Sequence, residues 1–182
     1  MNFVQPIRDK ETVQDIAEYL KYKNERNYIM WMMGIYSGLR ISDILKLRVR
    51  DAYNKQFISI REMKTGKQRR FEINPALSRA LNKYCEDRRP DEYLIKSREE
   101  DNKPITRSMA YKILREAADQ FGLDSIGTHS MRKTFGYHFY LQTKDVVTLM
   151  KIFNHSNQTI TLIYIGIEEE QMNEAIKRFK IF

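Results

Sequence analysis

The sequence predicts an α+β fold, mainly helical, with a small three-stranded antiparallel sheet. Three observations lead there. Apolar residues recur at helical spacing through most of the chain, Gly and Pro stand at the ends of those segments, and one Thr65–Gly66 turn separates two runs of β-forming side chains. With 182 residues and 42% hydrophobic content, the chain suits one compact domain, residues 1–182, with a sizeable core.

Asp9 is positioned to cap a first helix whose Val13, Ile16, Ala17 and Leu20 form one apolar stripe. Residues 26 to 37 read as a second, largely buried helix ending at Gly38, and Ser42 caps a short third helix through Leu47. Phe57 to Arg61 and Arg69 to Ile73 are the strands of a hairpin, which puts Lys64 near its tip. Asn74–Pro75 starts a helix running to about Arg89, before Pro90, because the ring's fixed φ suits a first turn. Tyr93 to Ile95 supplies the third strand. Thr106 caps a helix carrying Ala110, Ile113, Leu114, Ala117 and Phe121, which Gly122 ends. Four shorter helices follow, near 129–142, 145–153, 157–165 and 168–179.

The charge balance, 32 Lys plus Arg against 24 Asp plus Glu for a net +8, favours a polyanionic partner. Single Cys85 forms no internal disulfide and fits a reducing cytoplasm, and three scattered His give no metal-binding spacing. The longest mostly apolar stretch, Tyr28 to Tyr36, is far short of the about 20 residues a membrane span needs. No phosphate-loop or dinucleotide fingerprint is present, so neither nucleotide cofactors nor metals are expected.

Four strings carry chemistry: GLRISD at 38–43, MKTGKQRRF at 63–71, THSMRKTF at 128–135 and NHSNQTITLIY at 154–164. They bring together Arg40, Lys64, His129, Arg132, His155 and Tyr164, a set suited to attack on a phosphodiester. Charge concentrates on the nonbridging oxygens during such attack, and guanidiniums fork onto them through paired donors. His129 and Arg132 lie three apart on one helix and share a face, whereas His138 falls about half a turn away and reads as structural. A free phenol has a pKa of about 10, so ionising it at pH 7 costs roughly 4 kcal/mol unless nearby cations or a base lower the barrier.

In these strings and their order the chain resembles the catalytic domain of the tyrosine recombinases, the phage integrase family, from about residue 9 to the C-terminal end. The resemblance implies that fold, and a DNA strand cleaved and rejoined through a 3′-phosphotyrosine without metal, ATP or other cofactor. It assigns Arg40 and Arg132 to the phosphate clamp, Lys64 (or Lys67) to protonation of the leaving 5′ oxygen, and Tyr164 to nucleophilic attack. Asp43 supports, either by orienting a neighbouring arginine or histidine or as a helix-start aspartate. Arg61, Lys67, Arg69, Arg70, Arg107 and Lys112 are candidates for DNA backbone contact.

Only 39 residues precede Arg40, too few for the family's amino-terminal core-binding domain, so the chain reads as a catalytic domain, excised or stand-alone. Asn154 stands where the family usually has a small Gly. Residues 168–182 carry Met172, Ala175, Ile176 and Phe179 on one stripe, either docked on the chain's own core or, as in relatives, on a neighbouring protomer of a tetramer on double-stranded DNA. Two other functions use similar features: nicking and resealing like a type IB topoisomerase, and noncatalytic DNA-binding regulation. The complete reactive set speaks against the second, because a pure binder has no need of a nucleophile and an acid.

Overall fold

A computed structural model describes residues 4–181. Helix α1 (Lys10–Lys23) and helix α2 (Glu25–Ser37) form an antiparallel pair broken by one residue, Asn24. Its extended backbone ends the first helix, and its side chain accepts from Arg26 N at 3.0 Å to begin the second. Helix α2 is the axis of the main core, with Ile29, Met30, Trp31 and Met33 at or near zero exposure. It packs against α1, α5 (Pro75–Cys85) and α7 (Thr128–Thr143).

Between α2 and α5 lie two single-turn helices, α3 (Ile41–Ile44) and α4 (Val49–Ala52), and the antiparallel hairpin of β1 (Phe57–Arg61) and β2 (Gln68–Glu72). Helix α6 (Arg107–Gln120) precedes α7. The chain then folds α8 (Val146–Phe153), α9 (Gln158–Tyr164) and α10 (Ile167–Arg178). Tyr137, Leu149, Phe153, Ile165 and Ile167 make a second, smaller core beside α7. The strings singled out in the sequence lie along the seam between the two cores.

The expected helical α+β fold is therefore present, but the sheet among the described residues has two strands instead of three. Tyr93 to Ile95 is not a strand: it forms one isolated bridge, Arg48 with Tyr93, while Lys96 bridges Pro104. Leu94 N donates to Leu47 O at 2.8 Å, and Leu94 and Ile95 are fully buried. The segment plugs the core beside the α3–α4 connection, where its apolar side chains are taken out of water. The third helix starts at Ile41 and stops at Ile44. The fifth ends at Cys85, four residues before the expected Arg89.

Helix α10 does not bury its apolar stripe. Only Ile167 is buried, whereas Met172, Ile176 and Phe179 are 59%, 69% and 71% exposed.

Candidate active site

Arg132 is the structural hinge of the site. It projects from α7, is 3% exposed, and donates from Nη1 to the Gly38 carbonyl and from Nη2 to Phe153 O at 3.1 Å. Both acceptors sit at helix C-termini, α2 and α8, where carbonyls lack intrahelical partners and the helix dipole is negative. The guanidinium also lies 4.3 Å over the Phe153 ring. Burial pushes its pKa down to about 10, so it stays charged at neutral pH.

Arg40, at the start of α3, reaches Glu62 Oε2 with Nη1 at 3.1 Å. Glu62, at the end of β1, is 4% exposed and accepts from Thr65 Oγ1 at 2.8 Å. Its other oxygen faces Arg69 Nη1 at 3.6 Å, and Arg69 Nη2 donates to Ser37 O at 3.3 Å. Arg69 thus points inward against the same helix end that holds Arg132. Burial alone would raise the Glu62 pKa, but the Thr65 hydroxyl, Arg40 and Arg69 outweigh it and hold the carboxyl below its ordinary range. Sequence reasoning passed over Glu62. Its one signal is that it stands as an acid within a strongly cationic string.

Lys64 is exposed in the turn that Gly66 N closes on Glu62 O at 2.9 Å. Asp43, 1% exposed, accepts from Met63 N at 2.9 Å and pairs with Lys46 Nζ at 3.5 Å. It steadies the hairpin next to Lys64, and its charge also acts on the guanidinium of Arg69. Lys67 spans from the hairpin to Asn154 Oδ1 at 2.8 Å, touching the residue before His155. Asn154 adopts φ 55°, the left-handed conformation that a glycine would take without strain, and caps α8.

His155 Nδ1 lies 3.0 Å from Thr161 Oγ1, which donates to Asn157 O at 3.3 Å. The ring meets Tyr164 edge-on at 5.2 Å; Phe153 does so at 5.3 Å, and Lys133 Nζ lies 5.1 Å above the phenol. Burial raises the Tyr164 pKa, opposed by the charges of Arg132 and Arg40. His129, at the first turn of α7, has its pKa lowered by burial and then by Arg132, Lys133, Arg40 and Lys64. Burial, Arg132 and Arg40 lower that of His155 too. At pH 7 the pocket therefore holds a protonated phenol, two neutral imidazoles and several fixed cations, a set able to move a phosphoryl group onto the phenolic oxygen.

The remaining candidates are scattered. Arg61 folds back to Gly66 O at 3.0 Å and Arg70 stacks over Phe57 at 4.1 Å, both on the exposed hairpin. Arg107 and Lys112 are exposed on α6. His138 is structural, as the helical projection implies: Nε2 contacts Ile7 O at 3.0 Å, pinning the segment before α1 to α7. Among the described residues no cluster of His, Cys, Asp or Glu could hold a metal ion, and no helix is long and apolar enough to cross a membrane.

The fold and this pocket define a class, a helical domain that places a tyrosine beside a cluster of cationic side chains. The phage integrase family model matches residues 8–171, and the chain belongs to that family. It is 49% identical over 179 residues to the "Probable integrase/recombinase YoeC" of Bacillus subtilis strain 168, with 98% of each chain covered. Against the tyrosine recombinase XerA of Pyrococcus furiosus it is 24% identical over 172 residues, covering 93% of this chain and 60% of that one. Among solved structures, the XerA recombinase crystal structure aligns with a TM-score of 0.75 at 19% identity, covering 97% of this chain and 66% of that one. The XerH recombinase bound to palindromic difH in a post-cleavage complex aligns at 0.74 and 18% identity, covering 97% and 54%. The chain thus has the recombinase fold, and spans nearly all of YoeC but only about three fifths of the matched XerA of Pyrococcus furiosus.

Proposed function

We propose that the chain is the catalytic domain of a site-specific DNA recombinase that cleaves and rejoins strands through a 3′-phosphotyrosyl intermediate. Tyr164 Oη attacks the scissile phosphorus, forming the P–O(Tyr) bond as the bond to the 5′ oxygen breaks. Lys64 gives that oxygen its proton, because an alkoxide is a poor leaving group. The neutral imidazoles of His129 and His155 are the available acceptors for the phenolic proton. Arg40 and Arg132 bind the nonbridging oxygens, and resealing reverses the steps with an incoming 5′ hydroxyl. The bond energy stays in the phosphotyrosine, so ATP is not consumed.

The observation that carries this reading is the packing of Tyr164 against His155 at 5.2 Å, in a pocket whose cations include Arg132 and Arg40. Double-stranded DNA is the proposed partner, held along its backbone by Arg61, Lys67, Arg70, Arg107 and Lys112. The exposed stripe of α10 supports docking on a second protomer within a tetramer on DNA. The cytoplasm is the proposed compartment.

The test uses a pool of nicked suicide duplexes of randomised sequence, incubated with the protein and resolved on a denaturing gel. A covalent adduct is expected with the parent and none with Tyr164→Phe. Sequencing the captured duplexes then defines the site. No adduct from any pool would sink the reading, and relaxation of supercoiled plasmid without strand exchange would redirect it to nicking and resealing.

A further inference from the structure

We propose that Glu62 is a positioning residue that sets the hairpin acid, Lys64, in register with the Arg40 phosphate clamp; this rests on the recombinase reading above. The argument starts with a single atom. Glu62 Oε2 takes both the Arg40 guanidinium at 3.1 Å and the Thr65 hydroxyl at 2.8 Å. Lys64 is the residue before Thr65, so one carboxylate oxygen joins the clamp to the turn that bears the acid. The second oxygen faces Arg69, which is tied in turn to Ser37 O. Ser37 precedes Gly38, the acceptor of Arg132. The bracket therefore references the hairpin to the helix end that holds the other clamp arginine.

Stability does not explain such an arrangement. Taking a carboxylate and two guanidiniums out of water is expensive, and a buried ion pair is often replaceable by well-packed apolar groups without loss. Its distinctive property is geometric: a charged fork fixes both the distance and the direction of its partners. An exposed turn residue such as Lys64 needs such a reference, because burial does not fix its side chain.

Two substrates separate positioning of the acid from general loss of the site. One is the nicked suicide duplex recovered from the randomised pool; the other is the same duplex with sulfur at the 5′ bridging position. A thiol has a pKa of about 8.5, so a thiolate departs without help from an acid. Thr65→Val keeps Glu62 and its pair with Arg40 but cuts the carboxylate's hold on the turn that carries Lys64. We expect it to cut the oxygen duplex on the order of 10²-fold more slowly than the parent, with most of that loss recovered on the sulfur duplex. Lys64→Ala should show the same pattern. Equal loss on both duplexes would overturn the proposal.

A readout without DNA keeps the bracket testable if the parent forms no adduct and the recombinase reading itself falls. Amide hydrogen exchange at Gly66 and Lys67 should quicken in Glu62→Ala, which removes the acceptor for Thr65, while exchange in α5 stays unchanged. Unaltered exchange in the turn would overturn the bracket whatever the activity.

Discussion

Arg132 donates to the carbonyl of Phe153 at 3.1 Å while its guanidinium stacks on that residue's ring at 4.3 Å. Backbone and side chain of one residue thus aim the arginine from two directions, and His155 follows two positions later. A lysine has no planar fork, so it can neither bridge the carbonyls of Gly38 and Phe153 nor stack in the same way. Arg132→Lys should fold but form adduct on the order of 10²-fold more slowly. Adduct rates on the captured duplex, with urea unfolding as a control, check this. A variant within about twofold of the parent would remove Arg132 from the clamp.

Gly38 tests the same anchor from the other side. It closes α2 at φ 60°, and an added Cβ would lie 2.4 Å from Phe135 Cδ1. Gly38→Ala meets both an unfavourable backbone and a ring that has little room to move. It should destabilise by on the order of 2 kcal/mol. Because its carbonyl receives Arg132, cleavage should fall by more than the lost folded fraction accounts for. Urea titration and adduct rate measured at one temperature separate the two effects.

Much of this frame is legible in the sequence because local chemistry decides it. Asp9, Asn74 and Thr106 cap their helices as expected, accepting from Thr12 N at 2.7 Å, Ala76 N at 2.8 Å and Met109 N at 3.1 Å. The hairpin is likewise written in its turn residues and alternation. Glu62 was illegible for the opposite reason, and Arg69, a DNA-backbone candidate in the sequence, turns inward instead. Their burial depends on the hairpin closing over the end of α2, a contact about 30 residues away in sequence. Tyr93 to Ile95 misled through composition: β-forming side chains served as core plugs once Leu47 and Ile105 supplied backbone partners.

Protonation gives a prediction with a definite sign. His129, His138 and His155 all have pKa values lowered chiefly by burial from an ordinary value of 6.5. As pH falls below 6.5 the unfolded chain takes up protons before the folded one, so folding weakens as pH drops. Stability from these groups is complete above about pH 6.5 and is lost below it. Glu62 and Glu92, with lowered carboxyl values, add a second loss below about pH 4.5. Urea midpoints should hold steady from pH 8 to 7 and fall by pH 5.5. The adduct rate should fall over the same interval, because the imidazoles needed as proton acceptors become charged. A midpoint that rises between pH 7 and 5.5 would contradict the burial of these rings.

The C-terminal helix separates two sources of stability. Met172, Ile176 and Phe179 recur at helical spacing yet are exposed, so the folded chain gains little from their apolar surface. Such a stripe is worth keeping if a second protomer covers it on DNA. Met172→Glu combined with Ile176→Glu should leave the unfolding free energy within about 0.5 kcal/mol of the parent. The same variant should lose multi-protomer assembly on the captured duplex while single-site adduct formation persists. Sedimentation of the DNA complex over a range of protein concentrations reads the assembly directly. A stability loss above about 1 kcal/mol would instead mean that the stripe packs on its own chain in solution. Unchanged assembly would mean that protomers meet through another surface.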